Sequence, residues 1–159
     1  MGDRGPSSLL AEALERPFAF GERPVPTPAE YRPTWRTALV VLLVGACRAK
    51  RASWHQLHIL SWAARNKETR AAFKRVREGE ARLEDAIVRY DPSLDRAIDL
   101  ALFSGLLERR SGEVLGLTPR GLAVLGDLHS SDVLVAEREF LLAVAPVTQT
   151  FVDGLVPRR

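Results

Sequence analysis

The sequence predicts a mainly α-helical fold carrying one short β-hairpin. Three observations predict it. Residues 38–47, ALVVLLVGAC, lie within a segment whose apolar residues recur at three- and four-residue spacing. Two later segments open on a capping residue followed by proline, Asp91-Pro92 and Thr118-Pro119. Between them, GLLERRSGEVLGLT (residues 105–118) reads as two short strands around Ser111-Gly112.

The chain has 159 residues, 46% hydrophobic and 27% charged. That is the balance of an ordinary globular protein, long enough to bury a core without disulfides or metal. A formal charge of +3 is too small to identify a nucleic-acid binder. Cys47 is the only cysteine, so no disulfide forms within the chain and a reducing compartment is expected. The opening MGDRGPSSLL lacks the apolar core of a signal peptide. The longest apolar run has ten residues, short of the ~20 that span a bilayer. The expectation is a cytoplasmic protein with no membrane partner.

Three regions follow along the chain. Residues 1–33 form an N-terminal arm, with Ser7 or Ser8 near the cap of a short helix. Its second half, GERPVPTPAEYRP, carries four prolines in thirteen residues and reads as extended linker. Residues 34–130 form the main domain. Thr34 can cap a first helix with Trp35, Leu39, Leu42, Leu43 and Ala46 at helical spacing. That helix is apolar almost all round, as befits the centre of a core. Ser53 opens a second helix with Trp54, Leu57, Leu60 and Trp62 on its apolar face. A third, KETRAAFKRVREG, turns Phe73 and Val76 inward beneath a rim of Lys67, Arg70, Lys74, Arg75 and Arg77. Residues 87–90 read as a short strand. Asp91 then caps a helix with Leu94, Ile98, Ala101 and Leu102 buried, ended by Gly105. The hairpin and a helix capped by Thr118 close the domain. Residues 131–159 supply a last helix, stopped near Pro146, and a tail.

Helix, GLLERR, turn, VLGLT and PRG together resemble the closing half of bacterial winged-helix domains, over about a fifth of the chain. A longer stretch, YRPTWRTALVVLLVGACRAKRASWHQLHILSWAAR with IVRYDPSLDRAIDLALFSGLLERR, resembles the middle component of bacterial three-component ABC-ATPase defence systems of the Lamassu type. This resemblance spans about residues 31–128. It implies a small winged-helix adaptor between an SMC-like ATPase and an effector such as a nuclease. DNA binding would then belong mainly to the ATPase.

In a winged-helix reader, the helix before the wing enters the major groove. Here that helix covers residues 92–104, and its exposed side is expected to carry Ser93, Asp95, Arg96 and Asp99. With Asp91 at the cap, three carboxylates oppose one arginine, facing a duplex with one charge per ~1.7 Å. Such a helix is a poor base reader. Asp95 and Asp99 are therefore expected on a protein interface, and so are Phe140 and Leu141, because the last helix carries more apolar residues than a terminal helix needs. The arm and residues 132–145 are expected to lie on partners. Positive charge lies at Arg48, Lys50 and Arg51, along residues 67–77, and around the wing. Arg109, Arg110 and Arg120 are the wing's claim on phosphate, as non-specific DNA contacts.

Catalytic chemistry is missing from the pattern. His55 and His58 stand three apart, but no Cys or carboxylate set completes a metal site. Cys47 sits on an apolar helix where burial is expected. The chain carries no phosphate loop and no nucleophile elbow. Asp91, Asp95 and Asp99 are explained by capping and surface roles. Trp35, Trp54 and Trp62 read as core or interface anchors. The expectation is an adaptor without enzymatic activity or cofactor. The alternative is a stand-alone winged-helix transcription regulator, dimeric through its last helix.

Overall fold

The computed structural model describes residue 28 and residues 32–82 and 91–155. The expected helix of the arm, most of its linker and the expected strand at 87–90 lie outside the described residues. The described chain is mainly α, with one small three-stranded antiparallel sheet, an arrangement compatible with a winged-helix domain.

Helix α1 (Pro33–Ala46) runs through the centre. Pro33 stands at its first turn and Arg32 at the N-cap, without a side-chain cap. Thr34 therefore lies one position inside the helix, not at its cap. Thr37 instead donates its hydroxyl to the Pro33 carbonyl at 2.8 Å. Leu39 to Ala46 are all buried, and α1 packs against helices on several sides and against the sheet. Burying each such Leu or Val contributes roughly 1.5–3 kcal/mol, making α1 the main anchor of the core.

A 3-10 turn (Arg48–Lys50) leads into β1 (Arg51–Ser53), a strand absent from the sequence expectation. Ser53 also caps α2 (Trp54–Ala64). Its hydroxyl accepts from the Gln56 amide, and Gln56 Oε1 accepts from the Ser53 amide, a reciprocal capping box. Asn66 and Thr69 make the same device for α3 (Lys67–Arg77), where only Phe73 and Val76 are buried.

Helix α4 (Pro92–Phe103) starts as its sequence implies. The Asp91 carboxylate accepts from the Ser93 amide at 3.0 Å, with proline at the first position. It ends on Gly105, with φ +68°. The Gly105 amide bonds the Leu102 carbonyl and the Leu106 amide bonds the Ala101 carbonyl, the paired bonds of a Schellman stop. Strands β2 (Leu107–Arg109) and β3 (Val114–Leu117) form the hairpin, with Gly112 at φ +69° in its turn. Strand β3 is central, pairing Leu107 with Leu117 on one side and Ala52 with Leu115 on the other.

Thr118 caps α5 (Pro119–His129) by accepting from the Gly121 amide at 3.0 Å. Helices α6 (Val135–Val144) and α7 (Gln149–Leu155) are the last elements among the described residues. They are part of the core. Phe140, Leu141, Val144, Val147 and Val152 belong to the same buried cluster as α1. The main chain of Val147 is stitched to the end of α1, accepting from the Arg48 amide and donating to the Ala46 carbonyl. Phe73 is the aromatic hub of this end, edge-on to Phe140 and to Phe151.

Candidate functional site

Helix α4 occupies the position before the wing. Its inward side is Leu94, Ala97, Ile98 and Ala101. On a 3.6-residue helix the opposite side is Arg96, Asp99, Leu100 and Phe103, and all four are exposed. Phe103 is 91% exposed, the highest value among the exposed large hydrophobic residues. Leu100, one turn earlier, is 37% exposed.

This face differs from the sequence expectation. Ser93 is half-buried, donating its hydroxyl to Asp91. Asp95 is turned toward α2, where its Oδ1 lies 2.9 Å from Nε2 of the buried His58. Asp91 is spanned by Arg36 at 2.9 Å and Arg65 at 3.5 Å. Burial pushes the Asp91 carboxyl up. The hydrogen bonds from Ser93 and Arg36 outweigh it and hold the carboxyl below its ordinary range. Of the three expected surface carboxylates, Asp99 alone remains fully outward. The face is thus apolar and nearly neutral, not acidic.

Beside it lies a cleft of about 420 Å³ between α1 and α4. Arg36, Arg65 and Arg96 line it with Asp91, so positive charge is in excess, and Leu100 joins the cleft to the exposed stripe.

The wing arginines stand on different elements. Arg109 and Arg110 lie toward the tip, where the Arg110 amide bonds the Val114 carbonyl. Arg120 lies beyond Leu117, in the first turn of α5. Arg110 also pairs with Glu108 and packs over Gly116. Arg109 and Arg120 are exposed.

Two members of the expected basic rim have structural work. Arg70 donates to the Ala64 carbonyl and, at 2.6 Å, to Glu137 of α6. The Arg77 guanidinium sits 5.6 Å from the Phe151 ring centre, within cation–π range. Lys67, Lys74 and Arg75 face solvent.

Phe140 and Leu141, expected on an interface, are 4% and 3% exposed within the chain's own core. The reason is their period: with Val144 they form the inward side of α6. Its outward apolar residues are Val135 and Leu142. Phe103, which no expectation above included, is marked in the sequence by its helical angle, opposite Leu94.

His55 is exposed while His58 is buried, so the pair shares no environment. Among the described residues, no group of three or more His, Cys, Asp or Glu could hold a metal ion. The Cys47 thiol is buried and bonds the Leu43 carbonyl at 3.4 Å. Burial pushes its pKa up to about 12, against a smaller opposite effect of Lys50. No helix among the described residues is long and apolar enough to cross a membrane.

The turn after α1 is strained. Ala49 and Lys50 take φ of 57° and 56°, a region costing L-residues roughly 1–2 kcal/mol each. Lys50 Nζ donates to the Gly45 carbonyl at 2.7 Å and closes the turn.

In comparisons with known proteins, no family model, no curated protein and no solved structure matches the chain.

Proposed function

We propose that this chain is a non-catalytic adaptor subunit that docks on another protein through the outward face of α4. The observation that carries the reading is the stripe Arg96, Asp99, Leu100 and Phe103. An aromatic side chain 91% exposed is the kind of anchor that fills a pocket on a partner. It offers no hydrogen bond to a base edge, and one arginine beside one aspartate gives little net attraction to a duplex. The excess of arginine in the adjoining cleft fits a partner that places a carboxylate beside an apolar pocket.

The sequence resemblance supplies the partners of this proposal, an SMC-like ABC ATPase and an effector subunit in a prokaryotic defence complex. Arg109, Arg110 and Arg120 then serve at most as sequence-blind phosphate contacts. The test is binding of the purified chain to duplex DNA alone. The adaptor reading expects weak binding, indifferent to sequence and lost as salt rises. Nanomolar binding to one duplex, with much weaker binding to its scrambled form, would identify a transcription regulator instead.

A further inference from the structure

A second cleft, of about 400 Å³, lies on a different side of the molecule. It opens between the strained turn after α1, the start of α2, the wing strand at Val114, and residues 147–150. Its chemistry is one-sided. Arg48 and Arg51 line it, with the hydroxyls of Ser53, Thr148 and Thr150, and no carboxylate is among the lining residues. Neither arginine makes a salt bridge among the described residues, and both are exposed. Arg36 and Arg65 are engaged by Asp91, Arg70 by Glu137 and Arg110 by Glu108. Arg48 and Arg51 share their lack of a salt bridge among the described residues with the exposed Arg75, Arg96, Arg109 and Arg120. What distinguishes them is the cleft they line together.

The backbone holds the two arginines in place. Arg48 and Arg51 flank the left-handed pair Ala49 and Lys50. Three tethers fix that turn: the Arg48 amide to the Val147 carbonyl, the Lys50 amide to the Cys47 carbonyl, and Lys50 Nζ to the Gly45 carbonyl. Arg51 is further fixed by strand pairing with Gly116, and its side chain packs over that glycine. Ser53 and Gln56 are committed to the capping box, and Thr148 Oγ1 accepts from the Phe151 amide. Arg48, Arg51 and the exposed Thr150 remain to meet a ligand. Backbone strain kept in place by such tethers is the kind of local order that a binding site uses.

We infer that this cleft binds a phosphate group through Arg48 and Arg51, with Thr150 as a further donor. Guanidinium forks match phosphate oxygens in pairs, and the absence of a lining acid leaves that charge for an anion. The volume is that of a ligand pocket, large enough for more than a bare ion. The same chemistry serves a nucleotide and a nucleic-acid backbone, and it needs no base contact.

The test uses the full chain labelled with ¹⁵N and three probes: inorganic pyrophosphate, ATP, and a short DNA duplex of arbitrary sequence. Saturable amide shifts are expected at residues 48–53 and 147–150 with at least one probe. Arg48→Ala/Arg51→Ala should weaken that binding about tenfold or more while the chain still folds, since both residues are exposed. Arg48→Lys/Arg51→Lys, which keeps the charge and loses the forks, should recover only part of it. Saturation by pyrophosphate or ATP alone assigns a free phosphate ligand. Saturation by the duplex alone assigns a phosphodiester backbone. The inference is overturned if no probe saturates these residues. It is overturned equally if Lys74→Ala/Arg75→Ala on α3 weakens binding as much as the cleft variant, which would mean diffuse charge.

Discussion

His58 Nε2 and Asp95 Oδ1 meet at 2.9 Å, a side-chain bridge between α2 and α4. The imidazole side chain is 8% exposed and the carboxylate 25%. Asp95 is therefore a fold residue, although its position before the wing made it an interface candidate. Asp95→Ala removes a partner of a buried imidazole and should destabilise the chain by about 1–3 kcal/mol. Asp99→Ala, on the exposed side, should stay within about 0.5 kcal/mol. Urea unfolding of the two variants distinguishes them. Equal midpoints would place Asp95 outside the packing described above.

Asp91 ties the start of α4 to α1 through Arg36. Its carboxyl is held below the ordinary range, so the stability it contributes is present above its unfolded value near 3.9. That contribution is lost as pH falls through the lower folded value. Asp91→Asn keeps a capping oxygen and loses the charge, so it should cost about 1 kcal/mol near neutral pH. The gap from the unmodified chain should close in acid, below about pH 4. A gap independent of pH would rule out the ion pair as its source.

Two glycines of α5 should respond in opposite directions. A Cβ on Gly121 would stand 2.1 Å from the Leu106 carbonyl oxygen, which is backbone and does not yield easily. Gly121→Ala should cost about 2–3 kcal/mol. A Cβ on Gly126 meets nothing within 4 Å. Gly126→Ala should gain up to about 1 kcal/mol from helix propensity. Thermal melts of the two variants check both signs.

Much of the fold was legible because its signals are local. Asp91-Pro92, Thr118-Pro119 and Ser53 each satisfy orphan amides within three residues, so the sequence alone marks these starts. Gly105 and Gly112 mark their turns through positive φ. Strand β1 was not legible, because three residues carry no alternation and exist as a strand only by pairing with β3, more than sixty residues later. Helix α7, only seven residues long, falls within the segment that reads as a tail after Pro146. The outward face of α4 differs from its expectation for a related reason. Asp95 lies at the margin of the helix's apolar side, and only the arrival of His58 decides that it turns inward. Phe103 lies opposite Leu94 on the helix, so its angle alone places it outward. Phe140 and Leu141 were read as surplus apolar surface because the core they complete is built from α1 and α3, distant in sequence.

The central claim is that α4 docks a protein through Phe103. Its most direct test is co-purification of the full chain with the SMC-like ATPase subunit of the proposed complex, comparing the unmodified protein with Phe103→Asp. Phe103 is 91% exposed, so the variant should melt within a degree or two of the parent, as expected for a change of less than about 0.5 kcal/mol. This single substitution should abolish the complex or weaken it about tenfold or more. An unchanged complex, formed by a variant that folds normally, would contradict the central claim.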